Sequence, residues 1–215
     1  MTDQKQIIPK IFITGIPTAG KSYVAKKIVK ATGGFCLETD NLREGLAKDP
    51  AYEKWATFFE KQDEYAYYTE NDPDEQWRIL SDMHEMLWPG IVKKIREYEN
   101  GKIPLKSKMA AFMRKPSSTI RPLVFEGINL LPRLAQKDLD FPGIVLVGKS
   151  LEEVRQRNHE RPRWGQTEKI MEMSARAFWF VERPQYINEA EKYGYPIFED
   201  ADEAYEKAVE LLHLR

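Results

Sequence analysis

The sequence predicts a three-layer α/β/α sandwich built on a five-stranded parallel sheet, with a helical cap and a lid added to it. Three observations predict it. Short apolar strand candidates alternate with helical stretches along most of the chain. The first two strands are joined through a helix in a unit of about 30 residues, a crossover that makes strands parallel. A glycine-rich loop stands between the first strand and its helix.

Residues 10–14, Lys10-Ile11-Phe12-Ile13-Thr14, read as a buried strand because they are apolar and β-branched. Gly15-Ile16-Pro17-Thr18-Ala19-Gly20-Lys21-Ser22 follows and matches G-x-x-x-x-G-K-[ST]. Residues 22–31 have helical spacing, with Val24, Ala25, Ile28 and Val29 on one face, and Gly33-Gly34 stops the helix. Residues 35–39 form the second strand, ending at Asp40. Residues 41–47 open a helix that Asp40 or Asn41 can cap.

Residues 50–120 break the alternation. They show no buried strand and are predicted to be a helical insertion that binds the acceptor. Residues 51–69 are rich in aromatics, including Tyr52, Trp55, Phe58, Phe59, Tyr65, Tyr67 and Tyr68. Residues 75–98 read as a long helix on Leu80, Met83, Leu87, Ile91 and Ile95, with a kink expected at Pro89-Gly90. Residues 101–121 carry only basic charges, from Lys102 to Lys115 and then Arg121.

Alternation resumes at 122–125, a strand ending at Glu126-Gly127, followed by a short helix over 129–137. Residues 143–147 are the fourth strand. Gly143-Ile144-Val145-Leu146-Val147-Gly148-Lys149-Ser150 also fits the glycine-loop pattern, but its apolar run is a strand and not a backbone cradle. Ser150 with Glu153 makes a capping box. Residues 158–166 are read as a polar loop, 167–192 as a long helix interrupted or bent at Pro184, 195–198 as a fifth strand, and 201–214 as a closing helix.

Ligands of such sheets bind beyond the carboxyl ends of the strands. The glycine loop, Asp40 and Glu126 fall there, after strands one, two and three. Glycines let backbone N–H groups close around phosphate oxygens at a helix N-terminus. Gly15, Pro17, Thr18, Ala19, Gly20, Lys21, Ser22 and Tyr23 therefore make up a candidate ATP site. Lys21 would reach the β- and γ-phosphates and the Ser22 hydroxyl would sit on Mg²⁺. Asp40 reads either as a helix cap or as a carboxylate that takes the proton of an attacking hydroxyl or holds Mg²⁺ through water. Arg43 reads as a solvated charge or as a holder of an anionic acceptor group. Glu126, with Gly127, ends its strand where the usual Walker-B pattern has Asp. It reads as a cap, a ligand of magnesium-bound water or an acceptor contact.

Arg155, Arg157, Arg161 and Arg163 cluster around residues 150–167, which are predicted to be a lid. Arg157, Arg161 and Arg163 are the candidates for contacting the phosphates, and in an open state they are expected to be solvated.

Composition narrows the function. With 42% hydrophobic and 31% charged residues, a packed core is expected and disorder is not. A net charge of −1 makes nucleic acid an unlikely main partner. The single cysteine, Cys36, reads as a small core residue and suits a cytoplasmic location. No apolar run approaches the ~20 residues of a membrane span, and no signal-peptide h-region opens the chain. The histidines His84, His159 and His213 are scattered and with Cys36 form no metal site. No oligomeric state follows from the sequence.

The glycine loop, the D-x-x-R of Asp40-Asn41-Leu42-Arg43, the end of strand three and the arginine lid resemble the P-loop small-molecule kinases related to nucleoside and nucleotide kinases. That resemblance implies a sheet of order 2-3-1-4-5 and ATP with Mg²⁺. Two stretches are similar to archaeal-type 2-phosphoglycerate kinases: Val124-Phe125-Glu126-Gly127-Ile128-Asn129-Leu130-Leu131-Pro132, and residues 186–197. The resemblance covers residues 10–47 and 121–213. It implies phosphoryl transfer from ATP to a hydroxyl of a small, anionic metabolite. Two alternatives stand beside it: a kinase for a nucleotide-linked or nucleic-acid 5′-hydroxyl acceptor, and a nucleotide-binding regulator without kinase activity. No N-K-x-D guanine signature is present.

Overall fold

The computed structural model describes residues 8–61, 63–100, 121–161 and 166–214. Strand β1 (Lys10–Gly15) is buried from Ile11 onward and lies at the centre of the sheet. It pairs on one side with β3 (Leu123–Glu126) and on the other with β4 (Gly143–Leu146). Strand β2 (Phe35–Glu38) lies outside β3, and β5 (Ile197–Phe198) lies outside β4. All pairings are parallel and the order is β2-β3-β1-β4-β5, as expected.

Strand side chains alternate between faces, and two cores result. Ile11, Ile13 and Val124 enter one, against α1 (Lys21–Thr32) and α11 (Ala201–Leu211). Phe12 and Phe125 enter the other, against α2 (Thr39–Leu46) and α6 (Pro73–Glu99). Gly143 lies under Phe12. A Cβ there would stand 2.1 Å from the Phe12 ring, so glycine is needed for the phenyl group to cross β4. Residues 143–146 are therefore a buried strand, and the second glycine pattern is not a loop.

The described part of the insertion is helical, as predicted: α3 (Glu53–Ala56), α4 (Phe58–Lys61), α5 (Glu64–Glu70) and α6. Its aromatics pack largely on one another. Tyr67 is buried, with edge contacts to Phe58, Phe59 and Tyr68, and its hydroxyl donates to the Gln76 carbonyl at 3.0 Å. The basic run from Lys102 to Lys115 lies outside the described residues. Helix α6 runs for 27 residues, with Pro89 inside it. Gly90 serves packing: a Cβ there would lie 2.8 Å from Leu46 Cδ2 of α2.

Several element boundaries differ from the sequence reading: β5 is two residues long where 195–198 is expected, the closing helix stops at Leu211, and three differences lie nearer the candidate site. Strand β2 ends at Glu38, so Asp40 lies in the first turn of α2 and does not cap it. The helix after β3 begins late, at α7 (Pro132–Asp138), with proline in its first turn, where a missing N–H costs nothing. Helix α8 (Leu151–Glu160) extends into the expected polar loop. Asn158 is buried there because its amide donates to the Met171 carbonyl at 2.7 Å and to Ser174 Oγ at 2.8 Å. The interruption expected at Pro184 is present. Helix α9 (Glu168–Ala177) passes through a π turn, Phe178–Glu182, into α10 (Arg183–Tyr193). Pro184 has no N–H for the preceding turn, and the wider turn accommodates it.

Candidate active site

The loop between β1 and α1 has a backbone that ordinary residues rarely adopt. Gly15 has φ 127°, Gly20 has φ 104°, and Thr18 is left-handed at φ 62°. A Cβ on Gly15 would lie 1.8 Å from the Leu146 carbonyl oxygen, so no other residue fits between β1 and β4. The N-terminal turn of α1, with its unpaired N–H groups and positive dipole end, opens directly from this loop.

Lys21 folds back over the loop. Its ammonium donates to the Gly15 carbonyl at 3.0 Å and to the Ile16 carbonyl at 2.7 Å. Burial lowers its pKa, and the carboxylates of Glu126, Asp40 and Glu182 oppose that shift. Three acids from three different elements thus face one cation. Glu182, buried at the end of the π turn, was not among the residues singled out from the sequence.

The Ser22 hydroxyl donates to Glu126 Oε1 at 2.9 Å. Register explains the meeting: Ile13 of β1 pairs with Glu126 of β3, so the two strands deliver loop and carboxylate side by side. Glu126 is buried, which raises its pKa, while Lys21 and the Ser22 hydrogen bond counter the rise. A hydroxyl and a carboxylate at hydrogen-bonding distance form an oxygen-only donor pair, the chemistry a small hard cation takes. The pair therefore fits Mg²⁺, and the carboxylate beside Ser22 is Glu126. Gly127 has φ 152°, and a Cβ there would lie 1.9 Å from Thr39 Oγ1, so glycine is the residue that fits.

Asp40 is exposed, and its Oδ1 accepts from Asn129 Nδ2 at 3.3 Å. Asn129 Oδ1 lies 2.7 Å from His84 Nδ1. Neither His84 nor Asn129 was picked out from the sequence as a site residue. One signal was available for His84. It lies four residues after Leu80 and three before Leu87, on the apolar stripe of α6, where a buried imidazole requires a partner. Arg43, one turn beyond Asp40, is half-buried, and its Nε makes no hydrogen bond among the described residues.

Beside the loop is a cavity of about 430 Å³. Thr18, Gly20, Lys21, Ser22 and Tyr23 line one wall, Arg157 and Arg161 of the α8 segment another, and residues 199–202 a third. Arg161 is exposed. Arg157 is not the free, solvated arginine expected: Nη1 donates to the Thr18 carbonyl at 3.1 Å, and its other amino group pairs with Glu153. That pairing also removes half of the expected capping box, of which only the Glu153 N–H to Ser150 Oγ bond, 3.2 Å, is made. Arg155 turns away to Glu172, at 2.6 Å. Arg163 lies outside the described residues. Tyr23 is exposed and donates its hydroxyl to Asp202 at 3.0 Å.

His84 makes stability depend on pH. Burial is the main cause that lowers its pKa from 6.5 to about 4, and the charges of Arg133 and Arg43 push the same way. The unfolded chain therefore binds the proton first. The folded state has its full stability from this group above pH 6.5 and loses it as pH falls toward 4. The loss is expected to be about 3 kcal/mol. Urea titrations across that window check it, and in His84→Asn this part of the acid loss should vanish.

The sequence matches no protein-family model and no curated protein. It is similar in structure to TT1252 from Thermus thermophilus, with TM-score 0.52 and 19% identity over 96% of this chain and 97% of that one. A shikimate kinase from Acinetobacter baumannii in complex with shikimate aligns with TM-score 0.49 and 15% identity, over 96% of this chain and 94% of that one. A deoxyadenosine kinase from M. mycoides with bound dATP aligns with TM-score 0.44 and 16% identity, over 96% and 97%. Among the described residues no helix is long and apolar enough to cross a membrane. What the chain shares with TT1252, over nearly the whole length of both, is a fold: the parallel α/β/α sandwich predicted from its strand–loop–helix pattern.

Proposed function

We propose that this protein transfers the γ-phosphoryl group of ATP to a hydroxyl of a small anionic metabolite. One observation carries the reading. The glycine loop with Lys21, the Ser22–Glu126 pair and the Asn129-held Asp40 come together at the carboxyl ends of β1, β2 and β3, beside the 430 Å³ cavity.

Each residue then has a part. The loop N–H groups and the α1 N-terminus bind the phosphates, and Lys21 exchanges its carbonyl partners for β- and γ-oxygens. Ser22 and Glu126 would hold Mg²⁺, which when bound supplies positive charge to those phosphates. Asp40 orients the acceptor hydroxyl and takes its proton as the new O–P bond forms. The bond from the γ-phosphorus to the bridging oxygen breaks and ADP leaves. Arg43, whose Nε makes no hydrogen bond among the described residues, holds the anionic group of the acceptor. Arg157 and Arg161 face the donor phosphates, and residues 50–120 shape the acceptor side. The cytoplasm is the proposed compartment.

Arg157→Ala is expected to lower ATP turnover about tenfold, roughly 1.4 kcal/mol of barrier. Its contacts to Thr18 and Glu153 are half-exposed, so the melting temperature should fall only slightly. Steady-state kinetics beside a melting curve would separate the two effects.

The test of the reading is ATP consumption in a panel of hydroxyl-bearing metabolites. On the resemblance of residues 124–132 and 186–197, 2-phosphoglycerate comes first, with nucleotide-linked acceptors as a separate arm. Stimulation by a small anionic acceptor is expected. Binding of ATP with no stimulation by any arm would instead favour a nucleotide-binding regulator.

A further inference from the structure

Asp40 stands on the exposed first turn of α2, where a carboxylate has several rotamers open to it. A proton acceptor in such a place needs something to aim it. The contact that reaches it comes from Asn129, which is fully buried on the loop after β3. That loop is fixed at both sides of Gly127. The Gly127 N–H donates to the Ile13 carbonyl at 3.1 Å, and its carbonyl accepts from Thr14 Oγ1 at 3.0 Å. The next carbonyl, that of Ile128, accepts from the Tyr186 hydroxyl at 2.6 Å. Asn129 therefore projects from a rigid segment.

The direction of every hydrogen bond in this row follows from donor and acceptor types. An ionised carboxylate can only accept, so Asn129 must turn its NH₂ toward Asp40. Its carbonyl oxygen then faces His84, and that oxygen too can only accept. His84 Nδ1 must therefore carry the ring proton. Burial keeps the ring neutral near pH 7, so the other nitrogen, Nε2, is bare. The chain is His84 Nδ1–H to Asn129 Oδ1, and Asn129 Nδ2–H to Asp40 Oδ1. It begins on α6, the long helix of the insertion, and ends on the carboxylate in the first turn of α2.

We propose that His84 and Asn129 are positioning residues, which lock the Asp40 carboxylate toward the acceptor hydroxyl. The proposal rests on the reading of Asp40 as the proton acceptor. A merely structural role, in which Asn129 does no more than satisfy a buried imidazole, makes different predictions.

The experiment has two parts. In protein labelled with ¹⁵N-histidine, the spectrum at pH 7 gives the tautomer of His84, assigned by its loss in His84→Asn. The Nδ1–H form is expected, and the Nε2–H form would overturn the proposal. The second part measures Mg²⁺-dependent ATP turnover with water as acceptor, together with ATP affinity. His84→Leu removes the donor and keeps an apolar volume, while His84→Asn keeps an N–H near the position of Nδ1. We expect His84→Leu to lower kcat about tenfold or more with ATP affinity unchanged, and His84→Asn to restore most of it at equal or lower thermal stability. Turnover in His84→Leu equal to wild type, or a loss that follows only the melting temperature, would reduce the network to packing and end the proposal. If His84→Leu does not fold, Asn129→Ser carries the same comparison. Failure of the underlying reading looks different: Asp40→Asn would then turn over ATP as fast as wild type, whatever His84→Leu does, and the proposal would fall with it.

Discussion

Lys21→Ala is expected to lower ATP turnover by on the order of 10³-fold, about 4 kcal/mol of barrier, while the protein still folds. The size follows from where the charge sits. The Lys21 ammonium is buried against two loop carbonyls, in surroundings where charge is poorly screened. Transferred to phosphate oxygens, it would oppose charge developing on them with nothing in between. The fold should tolerate the loss because burial strips water from that ammonium and disfavours its charged form. Alanine would leave Glu126, Asp40 and Glu182 facing one another without their common cation, so the pKa of Glu126 should rise further. Isothermal titration with ATP and a coupled assay for ADP measure the two effects. Normal binding and normal turnover in this variant would show that the glycine loop is not a phosphate site.

Asp40→Asn is expected to keep nucleotide affinity and lose about 10²–10⁴ of phosphoryl transfer. The amide keeps an oxygen to accept the Asn129 hydrogen bond, so position is preserved and proton affinity is lost. Helix capping cannot account for such a loss, because Asp40 is inside the first turn of α2 and the cap position is Glu38. Removing an acid from that turn forfeits only the dipole interaction, about 0.3–1 kcal/mol. Rapid-mix single-turnover kinetics with the activating acceptor would show whether the loss is in the chemical step. A change confined to thermal stability would return Asp40 to a structural role.

The frame of the molecule was legible because it rests on local rules. Apolar runs at 10–14, 35–38 and 143–146 are strands, and the helices between them make the sheet parallel. The glycine loop was legible because its backbone angles demand particular residues at Gly15 and Gly20. What the sequence hid depends on partners far away along the chain. Asn158 looked like a loop residue because polar groups favour loops, yet Met171 and Ser174 satisfy its amide and let α8 run on. Arg157 looked solvated because its carbonyl acceptor, on Thr18, is 139 residues away. His84 looked like one of three scattered histidines because Asn129, 45 residues on, is what gives it a role. The boundary of β2 was misplaced by one residue for a local reason. Thr39 suits a strand by its branching, but its side chain is taken into the helix start beneath Gly127.

The most direct measurement is transfer of label from γ-labelled ATP. Wild-type protein, ATP, Mg²⁺ and the metabolite panel are incubated, and the products are separated and identified by mass. A phosphorylated small anion that carries the label, and is missing with Lys21→Ala and Asp40→Asn, is the predicted result. Label found only in ATP, or released as inorganic phosphate equally in wild type and both variants, would contradict it.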